Sequence, residues 1–257
     1  MRRASAKSRA NAPGWLTARP IAHRGLHDKT RGIVENTRAA AKAAIAGRFS
    51  IECDIQLTGD GEAVVFHDFT LDRLTHAKGR LDHYSADELA AVTFRACDET
   101  IPRLSAFLEE LAGKTPLIIE IKSGFDGDER LAARALTILA GYAGPAAVKS
   151  FDPAVLAFLR AQGLDRPIGL VAQARYDARE WPELTPKRRI ELATLSDFSA
   201  VRPDFLSWHV GDLPHATPEL CRTGIGMPVM TWTVRSEDDR TRAAIWADQM
   251  IFEGFDP

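Results

Sequence analysis

Apolar and polar positions alternate with two different periods along this chain. Between residues 49 and 57 every second side chain is apolar (Phe49, Ile51, Cys53, Ile55, Leu57), and Ser50, Glu52, Asp54 and Gln56 fall between them. That two-residue period is the signature of a strand with one face buried. Short β-rich runs predict further strands over 21–24, 63–67, 117–122, 146–150, 168–172, 205–210, 229–234 and 250–252. Between them, spacing near 3.6 residues predicts helices over 35–46, 86–94, 104–111, 129–142, 154–161, 188–197, 218–222 and 237–247. Two helix starts are signposted: Ser85 with Glu88 reads as a capping box, and Ser236 precedes three acids.

Strands alternating with helices predict a largely parallel sheet covered by helices. The run "LIIEI" at 117–121 is nearly continuous apolar, as a strand buried on both faces requires. No strand is followed by a glycine-rich fingerprint, which speaks against a dinucleotide-binding fold. An α/β chain of this kind is expected to close into a (β/α)8 barrel. Nine strand candidates for eight barrel positions then make one strand extra, or the 49–67 hairpin irregular.

The length of 257 residues suits one such barrel, which takes about 250. We expect a single domain over 20–257, preceded by a basic, disordered tail over 1–19. That tail contains no acid and no apolar core of a signal peptide; its weaker alternative is a contact with a membrane surface. A formal net charge of -2 gives no reason to expect nucleic acid. Three cysteines without metal-site spacing argue against a disulfide framework and for a reducing compartment. No apolar run reaches the ~18 residues of a transmembrane segment. The expected location is cytoplasmic.

Chemistry concentrates in the hairpin. A two-residue Asp60-Gly61 loop would set Asp54 opposite His67, and a Gly59-Asp60 loop would set Glu52 there. Either register gathers Glu52, Asp54 and His67 on one face; an odd-length loop would turn His67 away. Carboxylates facing into a barrel need neutralising, and oxygen ligands favour Mg²⁺, Ca²⁺ or Mn²⁺ over zinc. Other strand ends add matching groups: "IAHRG" offers His23 and Arg24, and "IIEIKS" offers Glu120 and Lys122 on one face. Two histidines suit general acid and general base roles, and Arg24 and Lys122 suit a phosphate. Three carboxylates around a divalent cation complete a set fitted to phosphodiester cleavage.

At this point the chain resembles the glycerophosphodiester phosphodiesterase family. The matching stretches, in order, are "IAHRG" (21–25), "ENT" (35–37), "IECDIQLTGDGEAVVFHDFTLDRLT" (51–75), "IPRLSAFLEEL" (101–111), "IEIKS" (119–123), "VKSFDP" (148–153), "IGLVAQ" (168–173) and "MTWTV" (230–234). The resemblance implies a (β/α)8 barrel related to the phosphatidylinositol-specific phospholipases C. It implies His23 and His67 as the acid/base pair and Glu52, Asp54 and Glu120 as ligands of one Mg²⁺- or Ca²⁺-type ion. Arg24 and Lys122 would hold the phosphate, Glu35 would orient Arg24 or another group that touches the substrate or ion, Asn36 would fix the loop backbone, and Trp232 would wall the substrate pocket.

The implied reaction is hydrolysis of small glycerophosphodiesters, such as glycerophosphocholine or glycerophosphoethanolamine, to glycerol 3-phosphate and an alcohol. Rival readings are a lysophospholipase D-like activity and a non-catalytic phosphate-binding barrel. The last strand, "MIFEGFDP", departs from the family by placing Glu253 near the mouth, and His209 is a second departure. His27, His76, His83 and His215 read as ordinary surface residues.

Overall fold

The computed structural model describes residues 12–257, so 1–11 of the expected tail lie outside the described residues. In chain order the elements are β1 (Ile21–Ala22), α1 (Arg38–Ala46), β2 (Ser50–Leu57), β3 (Ala63–Val65), α2 (Ala86–Leu89), α3 (Leu104–Leu111), β4 (Leu117–Ile121), α4 (Arg130–Ala140) and β5 (Ala146–Ser150). There follow α5 (Pro153–Ala161), β6 (Ile168–Ala172), α6 (Pro186–Ala193), α7 (Phe198–Val201), β7 (Phe205–His209), α8 (Ala216–Glu219), β8 (Val229–Val234), α9 (Glu237–Trp246) and β9 (Gln249–Phe252). Pairing runs β1-β9-β8-β7-β6-β5-β4-β2, and β1 also pairs with β2, which closes a barrel of eight parallel strands. The ninth strand, β3, is the extra one: it lies antiparallel on the second half of β2.

Strand alternation sorts side chains into two cores. Outward-facing Ile51, Cys53, Ile55, Ile119, Ile121 and Val148 pack beneath Leu104, Leu108, Leu131 and Leu156 of the helices. Inward-facing Ile21, Ile118, Ala147, Phe205, Met230 and Ile251 fill the lower lumen. Adjacent Ile118 and Ile119 thus belong to opposite faces, which is why "LIIEI" is apolar throughout. Gly169 is required by this lumen, because any Cβ there would collide with the Phe205 ring.

Residues assigned by sequence to the tail help to close the barrel floor. A turn over Gly14–Leu16 delivers Leu16, fully buried, into the lumen cluster, and Trp15 packs against the same cluster. Burying such a leucine contributes about 1.5–3 kcal/mol, enough to order a short segment that tail-like composition alone would leave loose. The helix expected over 86–94 is a single turn. Its capping box is present, but Thr93 and Phe94 leave to make isolated bridges with Thr100 and Thr75. The segment between β3 and α3 folds over its own small core, including Val64, Phe66, Leu71, Leu89, Phe94 and Ile101. It forms a modest cap beside the mouth.

Candidate active site

Strand register assembles a charged row just above the apolar floor. Asp54 of β2 lies beside Glu120 of β4, and Glu120 lies beside Lys149 of β5. Glu52 is two residues before Asp54 and shares its inward face. Each of Glu52, Asp54 and Glu120 is buried, and each offers one oxygen within 4.8 Å of the others.

Fixed donors surround these carboxylates. Asp54 Oδ2 accepts from Asn36 Nδ2 at 2.9 Å, while the Asp54 N–H donates to Asn36 Oδ1 at 3.2 Å. Glu52 Oε2 accepts from the Arg24 N–H at 3.1 Å. Lys122 Nζ lies 2.8 Å from Asp54 Oδ1 and 2.5 Å from Glu120 Oε1. Lys149 Nζ lies 2.9 Å from both Glu52 Oε1 and Glu120 Oε2. Burial works against charge on Glu120, yet Lys122 and Lys149 hold its pKa down at about 2. Asp54 is likewise held well below the usual carboxylate range: its burial is outweighed by Lys122, His67, Arg24 and His23.

This donor set fits a hard divalent cation. Its ligand atoms are all carboxylate oxygens. Two ammonium groups, Lys122 and Lys149, and the Arg24 guanidinium 3.3 Å from Asp54 Oδ2 occupy the place where a cation would neutralise these three anions. Glu52 Oε1 accepts no hydrogen bond and meets Lys149 Nζ only as an ion contact at 2.9 Å.

Two histidine–carboxylate pairs flank the cluster. The His23 N–H extends the β1–β9 ladder by donating to Phe252 O at 2.9 Å, and its ring Nδ1 lies 2.6 Å from Glu253 Oε2. Arg235 Nε holds the other oxygen of Glu253 at 2.6 Å. His67 Nδ1 lies 2.7 Å from Asp68 Oδ1, and Arg73 grips Asp68 through Nε at 2.6 Å. Glu253 and Asp68 are both partly desolvated, but these partners hold each well below the usual carboxylate range. With Nδ1 engaged in both rings, Nε2 is the nitrogen left to exchange a proton.

Glu35 ties the two sides together. It accepts from Arg24 Nη1 at 2.6 Å and from Arg73 Nη2 at 2.8 Å and Nη1 at 2.9 Å. Against its own burial, the two arginines hold its pKa at about 2. Arg24 and Asn36 adopt left-handed backbone conformations (φ 58 and 59), costly for residues with a Cβ, and the Asn36 N–H to Arg24 O bond of 2.9 Å links the two.

The structure therefore brings Arg24, Glu35, Glu52, Asp54, Glu120 and Lys122 into one contact network, which His67 joins through Asp68 and Arg73, while His23 pairs separately with Glu253. His67, Glu120, Lys122 and Trp232 line one cavity of about 640 Å³ at the barrel mouth. Trp232 donates from Nε1 to Ser207 O at 3.1 Å, and its ring packs edge-on to His209 at 5.0 Å.

Two expectations are corrected, on the hairpin and on His27, and one, on Asn36, is extended. The hairpin pairs Ile55 with Val65 and Leu57 with Ala63, so neither Asp54 nor Glu52 lies opposite His67. Thr58 N–H donates to Glu62 O at 2.9 Å, leaving the odd-length loop Gly59-Asp60-Gly61, with Gly61 at φ 84 supplying the left-handed residue that such a loop needs. His67 reaches the mouth because β3 ends at Val65 and the chain leaves the pleat, Gln56 Nε2 anchoring His67 O at 2.9 Å. Asn36, expected to serve the loop backbone, also clamps Asp54 with its side chain. His27 is no ordinary surface residue: its side chain is 14% exposed and Nε2 lies 3.7 Å from Glu253 Oε2.

Sequence reasoning assigned no role to Lys149, Arg73 or Asp68. Lys149 had a signal, a lone cation inside the strand "AAVKS". Arg73 sits in an irregular segment where no period marks it.

Residues 23–254 match the family model described as the Glycerophosphoryl diester phosphodiesterase family. Among curated proteins, the glycerophosphodiester phosphodiesterase of Caldanaerobacter subterraneus subsp. tengcongensis is 41% identical over 112 residues, 40% of this chain and 45% of that protein. That of Bacillus altitudinis is 36% identical over 109 residues, 40% of this chain and 43% of that protein. The chain thus spans less than half the length of these curated relatives in the matched regions. Among solved structures, a phosphodiesterase of Oleispira antarctica in complex with the product sn-glycerol-3-phosphate superposes with TM-score 0.74 at 22% identity, covering 91% of each chain. A glycerophosphodiester phosphodiesterase of Thermotoga maritima gives TM-score 0.67 at 22% identity, over 90% of this chain and 92% of that one. Both share the barrel fold.

Proposed function

The chain belongs to the glycerophosphoryl diester phosphodiesterase family, and from that premise we propose that it hydrolyses small glycerophosphodiesters, releasing sn-glycerol 3-phosphate and an alcohol. The observation that carries this reading is the pair of histidines, each backed through Nδ1 by a carboxylate, flanking a buried three-carboxylate cluster. The product bound to the Oleispira antarctica relative is in keeping with it.

Glu52, Asp54 and Glu120 would hold one divalent cation, Mg²⁺, Ca²⁺ or Mn²⁺. Such an ion supplies charge neutralisation at the phosphodiester and acidifies the attacking hydroxyl group. Lys122 shares Asp54 Oδ1 and Glu120 Oε1 with that site, so its ammonium is placed to swing toward a phosphate oxygen. Arg24, held by Glu35 and 3.3 Å from Asp54 Oδ2, adds a fixed positive charge with little freedom to lose.

One histidine takes the proton of the attacking hydroxyl at Nε2, and the other gives a proton from Nε2 to the departing alcohol oxygen. Glu253 and Asp68 hold both rings in the tautomer this exchange needs and stabilise the imidazolium formed. The assignment serves equally an attack by water and an attack by the neighbouring glycerol hydroxyl.

The test is release of glycerol 3-phosphate from glycerophosphocholine and glycerophosphoethanolamine, with each cation and with EDTA. Wild type should require a cation, and His23→Ala and His67→Ala should each lose at least about two orders of magnitude in turnover while folding normally. A cation-independent wild type, or a histidine variant at near-wild-type rate, overturns the corresponding part.

A further inference from the structure

We infer that one end of the mouth cavity takes a quaternary ammonium headgroup against an aromatic wall centred on Trp181, an inference that rests on the diesterase reading above. The cavity of about 640 Å³ runs without a break from His67, Glu120 and Lys122 to Trp181 and Trp232. It is of ordinary size for a small-ligand site.

Loops after three different strands, and a fourth strand itself, supply the wall. Phe125 follows β4, Phe151 follows β5, Trp181 follows β6, and Trp232 lies within β8. Trp181 packs against Phe151 at 4.9 Å, Tyr176 at 5.2 Å and Phe125 at 6.0 Å between ring centroids. Phe151 in turn meets Trp232 at 5.3 Å and 89°. Three neighbours therefore hold the indole in place before any ligand arrives, which lowers the ordering cost of binding.

Charge and polarity select the ligand class. Aromatic faces carry a negative quadrupole and attract a cation, most strongly at tryptophan. Glu180 and Glu183 border this end, and among the described residues lining it there is no lysine or arginine. Lys122 belongs to the Asp54–Glu120 cluster, and Arg188, 3.9 Å from Asp152 Oδ1, is paired with Glu191 and Asp197. An anionic headgroup thus meets no counter-charge, and a polyol would give up water for rings that cannot satisfy its hydroxyls. A primary ammonium carries three N–H donors that the ring faces leave unsatisfied, and the carboxylates at this end are either exposed to water (Glu180, Glu183) or already engaged (Asp152, by Ser123 and Ala154). A quaternary ammonium has no donor to satisfy, and its methyl groups pack on the rings.

The test compares metal-loaded wild type, Trp181→Ala and Trp181→Phe on glycerophosphocholine and glycerophosphoethanolamine. Trp181 touches none of the groups assigned to proton transfer or metal holding, so KM should move and kcat should not. We expect Trp181→Ala to raise KM for glycerophosphocholine roughly tenfold, with kcat and the ethanolamine diester nearly unchanged, and Trp181→Phe to recover most of the loss. Equal effects on both diesters, or none, overturn the inference. So does a preference for lysophosphatidylcholine that disappears in Trp181→Ala, because the wall would then hold an acyl chain. Calorimetric titration with glycerophosphocholine in EDTA separates the two readings. Binding lost in Trp181→Ala, by a protein that cleaves none of the diesters, keeps the wall and sinks the diesterase; absent binding in wild type sinks the wall.

Discussion

Asn36 offers the sharpest test of how the carboxylate cluster is held. The residue is 2% exposed, and its side chain makes two bonds to Asp54, donating to the carboxylate at 2.9 Å and accepting from the backbone N–H at 3.2 Å. Asn36→Gly keeps the left-handed backbone and removes both. A hydrogen bond to a charged group contributes about 1.5–3 kcal/mol, and a buried N–H left without a partner costs about 1–3 kcal/mol. The glycine also loses about 0.5–1 kcal/mol through the freer unfolded chain. The expected loss is therefore about 3–7 kcal/mol, read from urea unfolding in EDTA so that no cation contributes.

Asn36→Ala should fall in the same range. It escapes the glycine entropy but meets a left-handed cost of about 1–2 kcal/mol. Asn36→Asp separates charge from geometry. It restores an acceptor for the Asp54 N–H but sets a second carboxylate oxygen against Asp54 Oδ2, so it should be the least stable of the three at neutral pH and recover on acidification. Affinity for a divalent cation, measured with Mg²⁺, Ca²⁺ and Mn²⁺ in whichever variants fold, should drop about tenfold or more because Asp54 loses its orientation. An Asn36→Gly protein within 0.5 kcal/mol of wild type, at an unchanged m-value, would refute this account.

Two further outcomes follow from the network. Glu253→Gln retains a hydrogen-bonding side chain beside His23 but removes the charge that would stabilise its imidazolium; kcat should fall at least about tenfold with KM little changed, and a kcat within twofold of wild type removes Glu253 from the mechanism. Glu35 titrates at about 2 in the folded chain against an ordinary 4.5. A depressed carboxylate stabilises the fold fully above its unfolded pKa and loses that contribution as pH falls through the folded one, so Glu35 contributes about 3 kcal/mol that disappears between roughly pH 4.5 and 2. Glu35→Gln should flatten the acid limb of the stability profile over that window, and an unchanged limb would show that the arginines owe Glu35 nothing.

What could be read from the sequence was whatever depends on local period. All nine strands were legible because the barrel buries both faces of most of them, and parity alone put Glu52 with Asp54 and Glu120 with Lys122. His67 reached the predicted place by a different route. "TGDG" admits even and odd loops, and the bond from Thr58 to Glu62 that decides between them is a property of the folded turn. Partnerships across the chain were illegible for a related reason. His23 and Glu253 are 230 residues apart and Glu35 and Arg73 are 38 apart, and no local period records either separation.

Lys149 is the instructive omission. A lone lysine in a short strand reads as a solvated edge position as long as the strand has a free face. Barrel closure removes that face, and a buried charge must then find its opposite. Once Glu120 is placed inward on β4, two further carboxylates on β2 already surround it, and Lys122 can reach only Asp54 and Glu120. Glu52 is left without a cation unless the strand on the other side of β4 provides one. In β5 the single charged residue is Lys149, and it is the one that spans Glu52 and Glu120. The requirement of neutrality, applied across neighbouring strands rather than along one, would have found it from the sequence.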